Sequence, residues 1–262
     1  MQTERSHLAV ILYPMAGVLV LLAVWHLVAV RAWVPDYLLP QPLQVAAALI
    51  ANIMDGTIWA QLKPTLIATA IGYLASAAIA IFFAALISES RWAERALLLP
   101  LVAVQATPKV AIAPLVFLWA GFDIGGNVVL VALICFFPIF TNALAGFRAF
   151  DPNLVDLFRA AGASRAHIWR HVKLPGSLVH LFAGLEVAVA FALIGCVVME
   201  FISSTRGMGF LIQDASTRFD LPLSFGGLLV LGVVGLLCNA AVRLLRTRLL
   251  FWDGGHREPG HA

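Results

Sequence analysis

Long stretches of this chain contain no Asp, Glu, Lys or Arg, and that limits the possible folds more than any other feature. Leu8 to Val30 is a run of 23 residues without a formal charge, Pro64 to Ser88 one of 25, and Ile124 to Phe147 one of 24. A helix rises about 1.5 Å per residue and a bilayer's hydrocarbon core is about 30 Å thick, so roughly 20 apolar residues make one crossing. Composition agrees, with 61% hydrophobic and only 12% charged residues, whereas soluble domains carry about 25% charge. A soluble globular protein is excluded.

Charge positions divide the chain into six expected spans, at about 8–30, 64–88, 96–122, 124–147, 177–199 and 221–242. Only Lys109 interrupts the third and only Glu186 the fifth. The expected fold is therefore all-α, a polytopic membrane protein forming one transmembrane domain over 1–262. The longest remainder, Arg31 to Lys63, is too short to bury a core of its own. The first run exceeds the roughly 7 to 15 residues of a signal h-region and lacks a small-x-small cleavage site, so a retained helix is expected.

Orientation follows the basic residues, which collect in cytoplasmic loops. With the N-terminus inside, twelve of the seventeen Lys and Arg fall on inner segments, four on outer ones and Lys109 within the membrane. Both termini are thus expected in the cytoplasm. The net charge of +3 reflects that topology, and no basic patch interleaved with aromatics points to nucleic acid. Cys135, Cys196 and Cys238 lie in apolar runs, where thiols behave as small hydrophobes. Neither a disulfide nor a metal site is expected.

Within the third span, Pro108 and Pro114 each remove a backbone donor, which predicts a kinked or unwound helix around Lys109. Unwound backbone at membrane depth requires surrounding protein or a water-filled cavity, and a mid-membrane lysine requires a cavity or a partner. Pro108, Lys109 and Pro114 are therefore candidate translocation-path residues, with Glu186 or Glu200 as the possible partner of the lysine. Glu200 stands just before Ser203 to Gly209, a small, polar, glycine-bearing stretch including Ser204 that suits a gate at the outer boundary or a plain surface loop. On the outer side, Trp33 to Pro42 reads as extended, followed by a short helix from Gln44 to Met54 that ends at Asp55-Gly56. A small-residue face at Gly72, Ser76 and Ala80 permits close helix approach, as a two-fold dimer would need.

The basic inner segment 148–175 reads as two short helices. Asp151-Pro152 is an N-cap with proline at the first helical position, and Asp156 and Arg159 form an i,i+3 pair. Gly162 closes the first helix in a left-handed conformation. Ser164 caps a second, through Arg165, His167, Ile168 and Trp169, which Leu174-Pro175 is expected to end. His167 and His171 are an i,i+4 pair without an acidic third ligand, a poor metal site.

The spacing Asp156, Gly162, Leu174-Pro175 resembles the EAA loop of ABC importer permeases, the segment that docks into the ATPase subunit, although Asp156-Leu157-Phe158 replaces the usual acidic-Ala-Ala triplet. Leu39-Pro40-Gln41-Pro42, Pro108 to Pro114, Leu118-Trp119, Phe137-Pro138 and Glu200-Phe201 with Gly207-Met208-Gly209 are similar, in order, to permeases of the nitrate, sulfonate, taurine and pyrimidine-precursor group. The resemblance implies a six-helix importer subunit of type I fold in the bacterial cytoplasmic (inner) membrane. It also implies a second copy of the chain, ATPase subunits in two copies, an external solute-binding protein and a small solute. Asp156, Gly162, Ala163, Ser164, Arg165, His167, Ile168, Leu174 and Pro175 would form the coupling loop.

No cofactor is expected, and no bond chemistry, because no G-x-x-x-x-G-K-[ST] phosphate loop occurs in the chain. The main rival is an ion-driven secondary transporter, which would also place rare charges and broken helices at the midplane, but no internal repeat supports it. An intramembrane enzyme would need a nucleophile or metal constellation at depth, and none is apparent. The solute is left open between an anion, which Lys109 suits, and a small heterocycle.

Overall fold

The computed structural model describes residues 3–251 apart from 32, 36–37, 91, 93–95, 97–99, 102, 105–106, 122–123 and 204, and no strand occurs among the described residues. Its helices are α1 (Thr3–Val30), α2 (Pro42–Met54), α3 (Thr57–Ser88), α4 (Ala113–Ala120), α5 (Ile124–Gly146), α6 (Pro152–Ala160), α7 (Arg165–Ile168), α8 (Leu174–Ser203), α9 (Met208–Thr217) and α10 (Leu221–Leu249). A 3₁₀ turn, Lys109–Ile112, precedes α4, and a π turn, Trp169–Lys173, joins α7 to α8.

Four helical stretches are long and apolar enough to cross a bilayer: Thr57–Ser88, Ile124–Gly146, Arg165–Ile202 and Leu221–Leu249. They correspond to the second, fourth, fifth and sixth expected spans. Met15–Val30 and Lys109–Ala120 are shorter apolar helices at the other two.

Several boundaries differ from expectation. α3 begins seven residues before Pro64, because Gly56 turns at φ +88° and the Asp55 carboxylate accepts the Thr57 N–H at 2.8 Å. Lys63 consequently lies on a helix rather than in a loop. Around Lys109 the expected unwinding is present: residues 108–121 run from extended Pro108 through the 3₁₀ turn and α4 to Gly121 at φ +82°. The rest of 96–122 lies partly outside the described residues.

Leu174-Pro175 does not end the second loop helix. At the π turn the Leu174 N–H donates to the Trp169 carbonyl, five residues back, so the hydrogen-bond register shifts just where proline lacks a donor. Helix therefore continues from Arg165 to Ile202.

α5 occupies the centre, packed between α3 and α8 around Val131, Cys135, Ile139, Phe140 and Ala143. Lipid supplies no hydrophobic drive between helices, so close approach and hydrogen bonds must join them. A Cβ at Gly72 would sit 2.7 Å from Val131, and Ser76 Oγ donates to the Ala132 carbonyl at 2.8 Å. The Gly72, Ser76, Ala80 face thus serves α5 of the same chain, which corrects its expected use in a dimer. Gly184 similarly admits Asn142 and the Pro138 carbonyl.

At the other face of α8, Glu186 accepts from Arg246 at 3.2 Å, with Arg243 at 3.8 Å. The Glu186 side chain is 17% exposed and that of Arg246 36%, so Arg246→Leu leaves a mostly covered carboxylate without its nearest partner. Allowing for the residual exposure, the expected loss is about 1–2 kcal/mol. Thermal unfolding in detergent should show it, with the double change Glu186→Leu, Arg246→Leu recovering most of the loss.

Candidate functional site

The segment after α5 is built by its caps. Asp151 accepts the Asn153 N–H at 2.8 Å, and Pro152 opens α6. At the other end the Gly162 N–H donates to the Arg159 carbonyl and the Ala163 N–H to the Phe158 carbonyl, with Gly162 at φ +78°. That bond pair is a Schellman motif, and Phe158 and Ala163, the residues it joins, both pack against the Val155, Ile168 and Val172 cluster. Ser164 then accepts the His167 N–H at 3.3 Å to start α7. Val155, Ile168 and Val172 form a small core under the turn, which fixes the angle between the helices.

Outward, the loop presents Leu154, Leu157 and the exposed Asp156–Arg159 pair, 3.2 Å apart. Arg165 and His167 are exposed, and the His167 and His171 rings stack at 4.0 Å. Among the described residues no group of three His, Cys, Asp or Glu is placed to hold a metal. Inward, a groove of about 730 Å³ separates the loop from the end of α3 and is bridged by the Lys173–Glu89 ion pair. Leu174 and Pro175 are half-buried at the start of α8. The result is a doubly capped, basic, partly apolar helix–turn–helix.

Lys109 is half-buried, with Nζ 5.0 Å above the Phe137 ring, near the middle of α5. Its flanks, Pro108 and Pro114, are exposed. Ala113 and Val116 anchor α4 against Leu130, Ile134 and Met199, while Leu118 and Trp119 point outward at 75% exposure each.

Glu200 is fully buried, 26 residues beyond the start of α8 and so about 39 Å along the axis from Leu174. One carboxylate oxygen accepts from Thr65 Oγ1 at 2.7 Å and the other from the Gly209 N–H at 2.8 Å. Thr65 Oγ1 accepts the Met208 N–H and Gln61 Oε1 the Gly207 N–H. The structure thus brings Glu200 together with α3 and α9, while Glu186 is held by α10. The Ser203 side chain and all of Ser204 lie outside the described residues. Gln61 and Thr65 were not singled out by the sequence, where Gln61 was a polar residue just before the apolar run and Thr65 a polar residue at its start.

Residues 76–250 match the family described as binding-protein-dependent transport system inner membrane component. The formylaminopyrimidine transport permease protein ThiX of Halalkalibacterium halodurans is 32% identical over 249 residues, covering 95% of this chain and 98% of its own. The riboflavin transport system permease protein RibX of Chloroflexus aurantiacus is 34% identical, over 90% and 88% of the two chains. The taurine transport system permease protein TauC of Escherichia coli is 29% identical, over 90% and 87%.

Proposed function

This chain belongs to the binding-protein-dependent transport system inner membrane components, the permeases of ABC importers, and from that premise we propose how it works. It is a multi-pass protein of the inner membrane. Two copies form the translocation unit, each with six spans and cytoplasmic termini. Each carries one ATPase subunit on its 148–175 loop. Hydrolysis on those subunits drives alternating access, and an external binding protein delivers the solute. The path runs past Pro108, Lys109 and Pro114, and the stretch holding Glu200, Ser203, Ser204 and Gly209 closes its outer end.

The solute is a small anion such as a sulfonate or nitrate, or a small heterocycle. Lys109 favours the first class, and the names of ThiX and RibX favour the second.

The observation that carries this reading is the coupling loop itself: a doubly capped turn that holds exposed Leu157 and Arg165 on a rigid base at one end of a membrane helix. The test is reconstitution with an ABC ATPase subunit and a solute-binding protein. ATP-dependent uptake of a sulfonate, nitrate, riboflavin or an aminopyrimidine into proteoliposomes is expected, with a complex mass of two permeases and two ATPases. A single-permease complex that transports overturns the dimer, and uptake driven by an ion gradient without ATP overturns the importer.

A further inference from the structure

A helix leaves its first N–H groups without intrahelical partners, and these are ordinarily met by water or one local cap. At α9 they are met from elsewhere in the fold. Gly207 N–H donates to Gln61 Oε1 at 2.7 Å, Met208 N–H to Thr65 Oγ1 at 2.8 Å and Gly209 N–H to a Glu200 carboxylate oxygen at 2.8 Å. Two of these acceptors stand on α3 and one on α8, at sequence separations of 146, 143 and 9.

The fit leaves no slack. A Cβ at Gly207, whose φ is +117°, would fall on the Glu200 carboxyl group, and one at Gly209 would lie 2.8 Å from the Glu200 Cβ and from the Val197 carbonyl. Gly207 is therefore required by the carboxylate and Gly209 by the close approach of α8, and the N-terminal partial charge of α9 favours the carboxylate there. Cys196 Sγ closes the remaining side at 3.6 Å.

We propose that Glu200 is a positioning residue for transport: an interhelical cap that makes the ends of α3, α8 and α9 move as one body, so that α9 follows α8 when the coupling loop moves. The proposal rests on the importer reading, but the cap can be measured without transport. Glu200→Leu removes both acceptor oxygens. Glu200→Gln can turn its amide oxygen to Gly209 and its NH₂ to Thr65, which keeps the cap.

The experiment is amide hydrogen exchange of the peptide containing residues 207–211 in nanodiscs, beside ATP hydrolysis and uptake in the reconstituted complex. Exchange at Gly209 should rise about 10- to 100-fold in Glu200→Leu, the range for a lost charge-assisted hydrogen bond, and stay near the parent rate in Glu200→Gln. Uptake should fall at least tenfold in Glu200→Leu while the ATPase stays bound and hydrolyses ATP, and Glu200→Gln should restore it. Thr65→Val, nearly isosteric, supplies the same reading at Met208 should Glu200→Leu fail to fold.

Retained protection in both Glu200→Leu and Thr65→Val overturns the cap. Lost protection with undiminished uptake, or Glu200→Gln behaving as Glu200→Leu, overturns the positioning role. A parent complex that shows no ATP-driven uptake overturns the importer reading instead, and the exchange result still decides the cap.

Discussion

Gly162→Val is expected to leave the membrane helices folded and to abolish both ATPase capture and uptake. Gly162 sits at φ +78° with nothing within 4 Å of where a Cβ would stand, so the penalty is one of backbone conformation rather than collision. An L-residue in that region costs about 1–2 kcal/mol, and a β-branched one is a genuine outlier there. Relief comes by opening the Schellman turn, which would release α6, with Val155, from Ile168 and Val172. Gly162→Asn tests that cause, because Asn tolerates the left-handed region. It should keep most ATPase binding. Asp156→Ala should weaken capture only a few-fold, since its exposed ion pair with Arg159 is worth less than about 1 kcal/mol and Asp151 still caps α6. Co-purification of the ATPase with each variant decides the matter. Full capture and uptake by Gly162→Val would remove this loop from the coupling mechanism.

Lys109→Leu is expected to reduce uptake by at least tenfold without lowering the amount of folded complex. The lysine stands on a 3₁₀ turn between exposed prolines, with its ammonium over Phe137 at mid-helix depth. Unwound backbone there needs a polar or protein surrounding, and an ammonium at that depth favours a water-lined path for an anion or a polar ring. A cysteine at 109 should react with a small water-soluble thiol reagent and be protected by transported solute. Labelling by lipid-soluble reagents alone, together with normal uptake by Lys109→Leu, would place this side chain outside the path.

What could be read from the sequence was whatever depends on near neighbours in the chain. Asp151, Gly162 and Ser164 each act within three residues of themselves, and their expected roles as caps and turn are met in the structure. The boundary at Pro175 failed because one π turn shifts the bonding register ahead of it, a choice that no single residue announces. Gly72, Ser76 and Ala80 advertised close packing but not the partner, since a small-residue stripe fits any helix equally well. Glu200 stood out as a rare charge, yet its use depends on Thr65 and Gln61, 135 and 139 residues away in sequence. Only folding brings those three together.

The continuity of helix across Pro175 has a mechanical consequence. Because Arg165–Ile202 is one continuous helical stretch of 38 residues, about 57 Å along its axis, a movement at one end can be carried to the other through unbroken helix. A tilt of only about 5° about its midpoint displaces each tip by roughly 2.5 Å, in opposite directions. That is a large motion against side-chain contacts, whose attraction decays within an ångström or so of the optimal separation. No unfolding, sliding or relay of rotamers is needed between the two membrane surfaces. A broken helix at Pro175 would have dissipated the same stroke in its hinge.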